Sequence, residues 1–267
     1  MSDTTVRRPV RWNSAQGTNV GMVRKVNEDS IMSSPDAQIW AVADGMGGYE
    51  AGHHASDMVV KSLDPITSKL SLNDMVVCVE DRLIDVNHSI LEYADIMLDG
   101  RTLGSTVVTL LIQERTGICM WVGDSRLYRY RDKQLVQLSR DHSRVEELIM
   151  QGFISQEEAQ NHPDSNVITR AVGACPDLYV DINAFTAQLG DTFLLCSDGL
   201  YNMLSNDDIV SIIDDLPVDD AVNALIQKAL DNGATDNVSV ILVKGERDMS
   251  SSADHLPGSL EDPGVTA

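Results

Sequence analysis

The sequence predicts an antiparallel α+β sandwich. Strand-like segments come in consecutive runs, helical patterns come in pairs, and 43% of the 267 residues are apolar, enough to fill a sizeable core. A doubly wound parallel sheet would instead alternate strand with helix. The first element is the apolar run Ile39–Ala43 (IWAVA), a buried strand that ends at Asp-Gly-Met-Gly-Gly. Two helices follow. The second is the clearer, with Met75, Val76, Val79, Leu83, Val86, Ile90 and Ala94 at spacings of three and four. Thr106–Ile112 and Ile118–Val122 are β-branched and apolar runs bounded by glycine, hence strands. Leu127–Tyr130 and Gln134–Leu138 resemble a hairpin around Asp132 and Lys133. Polar helical segments lie near Ser143–Gln151 and Gln156–Gln160. Strands near Leu178–Phe185 and Thr192–Cys196, helices near Asp207–Asp214 and Val218–Ala229, and a strand over Val238–Val243 complete the pattern.

Residues 1–10 read as a flexible leader, and residues 247–267 as a disordered tail. The tail holds Ser250, Ser251, Ser252, Pro257, Pro263 and several acids, a composition that buries little surface. Between them no linker or repeat breaks residues 11–246, so one domain is expected there. Acids outnumber bases 41 to 20, a net charge of -21. Such a surface repels nucleic acid and anionic lipid, and neither is an expected partner. The four cysteines, Cys78, Cys119, Cys175 and Cys196, form no CxxC pair, which excludes a zinc ribbon or thioredoxin motif. Scattered thiols suit a reducing cytosol, and no run reaches the ~18 apolar residues of a membrane span. No apolar stretch follows Arg7, Arg8 and Arg11 as in a signal peptide, so a cytoplasmic location and a monomer are the expectation.

The chemistry is carried by aspartates at strand ends. Asp44 (VADGMGG), Asp124 (VGDSR), Asp198 (LLCSDGL) and Asp236 (GATDNVSV) each end or adjoin an apolar run, with glycine or another small residue beside them. One Asp-Gly reads as a turn. Four in matching contexts read as a rim of rigidly held carboxylates, open to close approach. Oxygen-only ligands suit Mg²⁺ and Mn²⁺ rather than Zn²⁺. Upstream, GTNVGMVRKVNEDS places Arg24 four residues before the pair Glu28 and Asp29. Its planar guanidinium matches phosphate oxygens, although a surface ion pair is the plainer reading of that segment alone.

The segments GMVRKVNEDS, VADGMGGYEAG, LGSTVV, WVGDSRLYRYRDKQLVQLSRDHS, NVITRAVG, LLCSDGL and GATDNVSVILV occur in that order from Asn19 to Val243. Together they resemble the bacterial branch of the metal-dependent protein phosphatases, the type 2C Ser/Thr family. The resemblance implies a four-layer α-β-β-α sandwich with two central antiparallel sheets and a helical flap, here about 143–165. It implies two core Mn²⁺ or Mg²⁺ ions and a weaker third. By that resemblance Asp44 bridges the two metals, the Gly45 carbonyl serves one, and Asp198 and Asp236 complete the other. Asp124 would help Asp198 hold the third ion. Glu28 and Asp29 would orient water, and Arg24 would grip the substrate phosphate. Hydrolysis of phosphoserine and phosphothreonine would then proceed by attack of a metal-bridging hydroxide.

One position departs from some eukaryotic members, which place a histidine after the Asp-Gly; here it is Met46. His53 and His54 read as an exposed helix start, and His142, at the entry to the flap, is a candidate for substrate contact. A catalytically silent phosphoprotein-binding module of the same fold is the alternative, and intact Asp44, Asp198 and Asp236 argue against it. A structural Ca²⁺-binding protein lacks the expected twelve-residue loop and leaves Arg24 unexplained. The expected substrates are phosphoproteins, targets of a Ser/Thr kinase.

Overall fold

The computed structural model describes residues 10–47, 51–67, 69–160 and 162–247. Along the chain the elements are β1 (Val10–Asn19), β2 (Asp29–Ser34), β3 (Ile39–Met46), α1 (Ala51–Leu63), α2 (Leu72–Met97), β4 (Gly104–Ser105), β5 (Val107–Gln113), β6 (Thr116–Val122), β7 (Arg126–Arg131), β8 (Gln134–Gln137), α3 (Arg144–Met150), α4 (Gln156–Gln160), β9 (Asp181–Thr186), β10 (Thr192–Cys196), α5 (Asp198–Tyr201), α6 (Asn206–Asp215), α7 (Val218–Asp231) and β11 (Val238–Arg247). The strands form two antiparallel sheets. One runs β1-β11-β10-β7-β8 and the other β2-β3-β5-β6-β9, with β4 on β3.

Three apolar layers hold the four structural layers together. Trp12, Trp40, Leu110, Trp121, Phe193 and Ile241 fill the space between the sheets. Val59, Leu63, Val79, Leu83 and Ile90 pack α1 and α2 onto the outer face of the second sheet, against Ile39, Ala41 and Met120. Ile209, Ile213, Val222 and Leu225 pack α6 and α7 onto the first sheet, against Leu194 and Val240. Successive strand residues therefore face different apolar layers. In β3, Ile39, Ala41 and Ala43 meet the helices while Trp40 and Val42 meet the other sheet. That is why the central strands read as continuous apolar runs, with no polar alternation. Each large side chain so buried contributes about 1.5–3 kcal/mol relative to exposure.

Three strands escape a reading of the sequence, the two-residue β4 and two longer ones. In β1 (VRWNSAQGTN) only Trp12 is fully buried, and β2 (DSIMSS) is serine-rich. Both are edge strands, so pairing needs only one apolar face and leaves little signal. The expected strand near Leu178 begins at Asp181, because Leu178 and Val180 pack into the helix-side core outside the ladder. The last strand continues past Val243 to Arg247, paired with β1 to its end. Of the proposed leader and tail, Val10 and Arg247 are strand residues and the remainder lies outside the described residues.

Candidate active site

The sheet topology gathers the strand-end aspartates at one end of the sandwich. Asp44 and Asp29 are paired across β3 and β2. Asp198 opens α5 two residues after β10, and Asp236 stands two residues before β11, the neighbour of β10 in the sheet. Asp124 sits in the turn where the chain crosses from β6 in one sheet to β7 in the other. The result is a cleft of about 370 Å³ whose lining includes Arg24, Glu28, Asp44, Gly45, Asp124, Asp198 and Asp236. Asp29 lies just beneath, 5% exposed.

The backbone is held closely here. Asp44 donates its N–H to Thr106 Oγ1 at 3.0 Å, and its carbonyl accepts the Thr106 N–H at 2.8 Å. Gly45 donates to the Glu28 carbonyl at 3.1 Å. A Cβ on Gly45 would fall 2.0 Å from the Gly52 carbonyl oxygen, so only glycine lets α1 approach β3. Asp29 Oδ2 accepts the hydroxyls of Ser197 and Ser239 at 2.7 and 2.6 Å. Asn237 ties down the loop that bears Arg24. Its Nδ2 donates to the carbonyls of Val20 and Val26 at 2.9 and 3.1 Å, and its Oδ1 accepts the Glu28 N–H at 2.8 Å. The sequence reading missed Asn237 and these two serines. Their signal was position alone: Asn237 follows Asp236, and Ser197 precedes Asp198.

Negative charge is left over. Burial, then the charges of Asp29, Asp198, Asp124 and Asp236, push the Asp44 pKa well above the usual carboxylate range. Asp198 is pushed up to about 8 by burial first, then by Asp124 and Asp236. Asp124 rises to about 6 through burial and Asp141. Asp29 also rises to about 6 through burial, opposed by its two serine hydrogen bonds. Glu28 Oε1, Asp29 Oδ1 and Asp198 Oδ1 are buried without a hydrogen-bond partner among the described residues. Such oxygens are costly unless a cation meets them. Arg24 is engaged elsewhere in the cleft, its Nη2 lying 2.6 Å from Asp236 Oδ2 with both side chains part-exposed. Arg24 thus sits directly on a carboxylate of the cleft. Among the described residues no three His, Cys, Asp or Glu side chains already converge as a ready-made ligand set. The donor chemistry, oxygen only with orphaned buried carboxylates, fits a hard divalent cation.

Of the other histidines, His54 packs against Tyr93, the rings tilted by 40° with centroids 4.3 Å apart. His142 is 8% exposed rather than open to substrate, and burial lowers its pKa. All four cysteines are free thiols.

Two antiparallel sheets between helices, with an oxygen-only cleft and one arginine at the sheet ends, define the class: a metal-dependent phosphatase. The Protein phosphatase 2C family model matches residues 17–239, and the chain belongs to that family. It is similar to the serine/threonine phosphatase stp of Listeria monocytogenes, 36% identical over 87% of this chain and 95% of the relative. Among solved structures, PppA, described as a key regulatory component of T6SS in Pseudomonas aeruginosa, is 38% identical with a TM-score of 0.82, covering 90% of this chain and all of that one. The catalytic domain of the phosphatase PstP in complex with two manganese ions is 30% identical with a TM-score of 0.80, over 89% of this chain and 99% of that one. The chain is therefore a bacterial-type protein-serine/threonine phosphatase, dependent on Mn²⁺ or Mg²⁺ and acting on phosphoproteins.

Proposed function

We propose that the cleft divides the family reaction among its residues as follows. Asp44 and the Gly45 carbonyl, with Asp198 and Asp236, hold the two core ions. Asp124 and Asp198 hold a weaker third. When bound, the ions supply an acidified water and offset charge on the phosphoryl group. Arg24 grips two phosphate oxygens and fixes the ester for in-line displacement. The water oxygen forms the new P–O bond as the ester P–O bond breaks, and the serine or threonine oxygen leaves with a proton. Met46 has no proton to give, so that proton comes from a water held in the cleft or from another group. Glu28 and Asp29 orient water from behind Asp44 and Gly45. The observation that carries this reading is the set of orphaned carboxylate oxygens of Glu28, Asp29 and Asp198 around one cleft.

The catalytic domain is taken as residues 11–246, with residues 143–165 as a flap; Asn166 and Ile168, which follow the flap, line the cleft. Among the described residues no helix is long and apolar enough to cross a membrane. The net charge of -21 favours a monomer, and the reading extends to work in the cytoplasm on the targets of a Ser/Thr kinase. Likeness to PppA supports a regulatory setting. A silent phosphoprotein-binding module is disfavoured because Asp44, Asp198 and Asp236 all survive in one cleft. The test is phosphopeptide hydrolysis with Mn²⁺, after EDTA, and with Asp44→Asn. Loss on chelation, recovery with Mn²⁺, and loss of both turnover and tight Mn²⁺ binding in Asp44→Asn are expected. Turnover that survives exhaustive chelation would overturn the assignment.

A further inference from the structure

His142 has no part in the chemistry above, yet it grips the turn that carries Asp124. It lies between β8 and α3, its ring stacked on Trp121 with centroids 6.1 Å apart and planes 21° apart. Its Nδ1 accepts the N–H of Gly123 at 3.0 Å. Its own N–H donates to the Gly123 carbonyl at 2.9 Å. One residue thus satisfies both backbone groups of the glycine that precedes Asp124. Gly123 has φ +105°, and a Cβ there would lie 2.6 Å from the Thr106 side chain, so the turn is pressed against the residue that holds Asp44. Because Nδ1 accepts, the ring proton is on Nε2, which donates to Asp181 Oδ2 at 3.2 Å. Asp181 also takes Arg170 Nη1 at 3.2 Å. From the other side, the Tyr201 hydroxyl donates to the Asp124 carbonyl at 3.1 Å.

We propose that His142 is a positioning residue for Asp124, fixing the Gly123–Asp124 turn so that the carboxylate stays in the cleft. The inference rests on the reading of Asp124 as an ion-holding residue. A buried N–H needs an acceptor, and a neutral imidazole held by Asp181 provides one without adding charge to an already crowded site. The two faces of the ring are separable. Asparagine places an amide oxygen where Nδ1 stands and loses the reach to Asp181. Glutamine reaches towards Asp181 and leaves Gly123 without its acceptor.

The experiment compares the full chain with Asp124→Asn, His142→Asn and His142→Gln. Three quantities are read: the Mn²⁺ isotherm by calorimetry, the Mn²⁺ concentration for half-maximal turnover, and melting in EDTA. His142→Gln is expected to weaken the weak Mn²⁺ site roughly tenfold, the lower range for partners that orient metal ligands, with the tight sites unchanged. His142→Asn should keep the weak site near wild type. Both should melt lower in EDTA, since both lose the stack on Trp121, so melting alone reports folding and not position. A weak site unchanged in His142→Gln but lost in Asp124→Asn would reject the role of His142 and leave the ion reading standing. A weak site impaired more by His142→Asn than by His142→Gln would also reject it, by moving the function to Asp181. A weak site that persists in Asp124→Asn would remove the ion reading itself, and this inference with it.

Discussion

Strand β10 has an aspartate near each end, and the protein treats the two in opposite ways. Asp191, just before it, has a side chain 1% exposed. It takes Arg131 Nε and Nη2 at 2.6 and 2.7 Å and the Gln188 N–H at 2.7 Å. Arg131 in turn donates to the Thr186 carbonyl at 2.9 Å. Asp198, just after the strand, sits half-buried beside other carboxylates; among the described residues its buried Oδ1 has no partner, and its Oδ2 accepts Asn202 Nδ2 at 3.3 Å. The first aspartate is completed by the chain. The second is left for something the chain does not encode. A buried charge satisfied from within reads as structure, and a cluster of unsatisfied ones reads as a site.

The sharpest way to break this contrast is to neutralise each aspartate. Asp198→Asn should lower turnover with Mn²⁺ by roughly 10³-fold, several kcal/mol of lost ion-based stabilisation. In EDTA the same variant should melt higher than wild type, because a repelled carboxylate is gone. A lower melting temperature in EDTA would make Asp198 structural, like Asp191. Arg24→Ala comes next, with a loss of about 2–4 kcal/mol in kcat/KM against a phosphopeptide. Since Arg24 occupies Asp236 Oδ2, its removal should also tighten Mn²⁺ binding slightly, by less than about 1 kcal/mol for a pair this exposed. Calorimetric titration beside steady-state kinetics checks both, and unchanged kinetics would reject the phosphate role. Asp191→Asn should cost about 2–3 kcal/mol of stability in denaturant unfolding, with kcat and the Mn²⁺ isotherm unmoved. The smallest effect is on pH. Asp29, Asp124 and Asp198 have raised pKa values when folded, so the folded chain holds more protons than the unfolded one. Metal-stripped protein should therefore lose stability as pH rises from about 4 towards 8, and saturating Mn²⁺ should flatten that slope. A melting series in EDTA that rises over this window would contradict the buried-carboxylate account.

The sequence shows Asp44, Asp124, Asp198 and Asp236 clearly because each follows or precedes a run of fully buried residues, and those runs are themselves the strongest signal in the chain. The four layers are equally visible, since Ile39–Ala43 and Thr192–Cys196 are apolar on both faces. What stays hidden is the support. Val10–Asn19 and Asp29–Ser34 are edge strands with polar faces, and the partner of the first, β11, lies at the other end of the sequence. Arg126 holds Asp141 through Nε and Nη2 and lies over the Tyr201 ring at 3.5 Å, a contact among residues up to 75 positions apart that no local pattern encodes. The contact of Arg24 with Asp236 likewise joins residues 212 positions apart.

The pairing of β1 with β11 has a mechanical consequence. Val10 faces Arg247 and Asn19 faces Val238, ten consecutive antiparallel pairs. The chain beyond Val10 and Arg247 leaves from one pole, while Val238 lies two residues from Asp236 at the other. At about 3.4 Å per residue the two poles are roughly 30 Å apart along the ladder. Tension applied through both ends would load these hydrogen bonds one at a time, as a zipper, rather than shear them together. The ladder would peel from the far pole and reach the carboxylate end last, so a tethered molecule keeps its cleft until the tenth pair gives way.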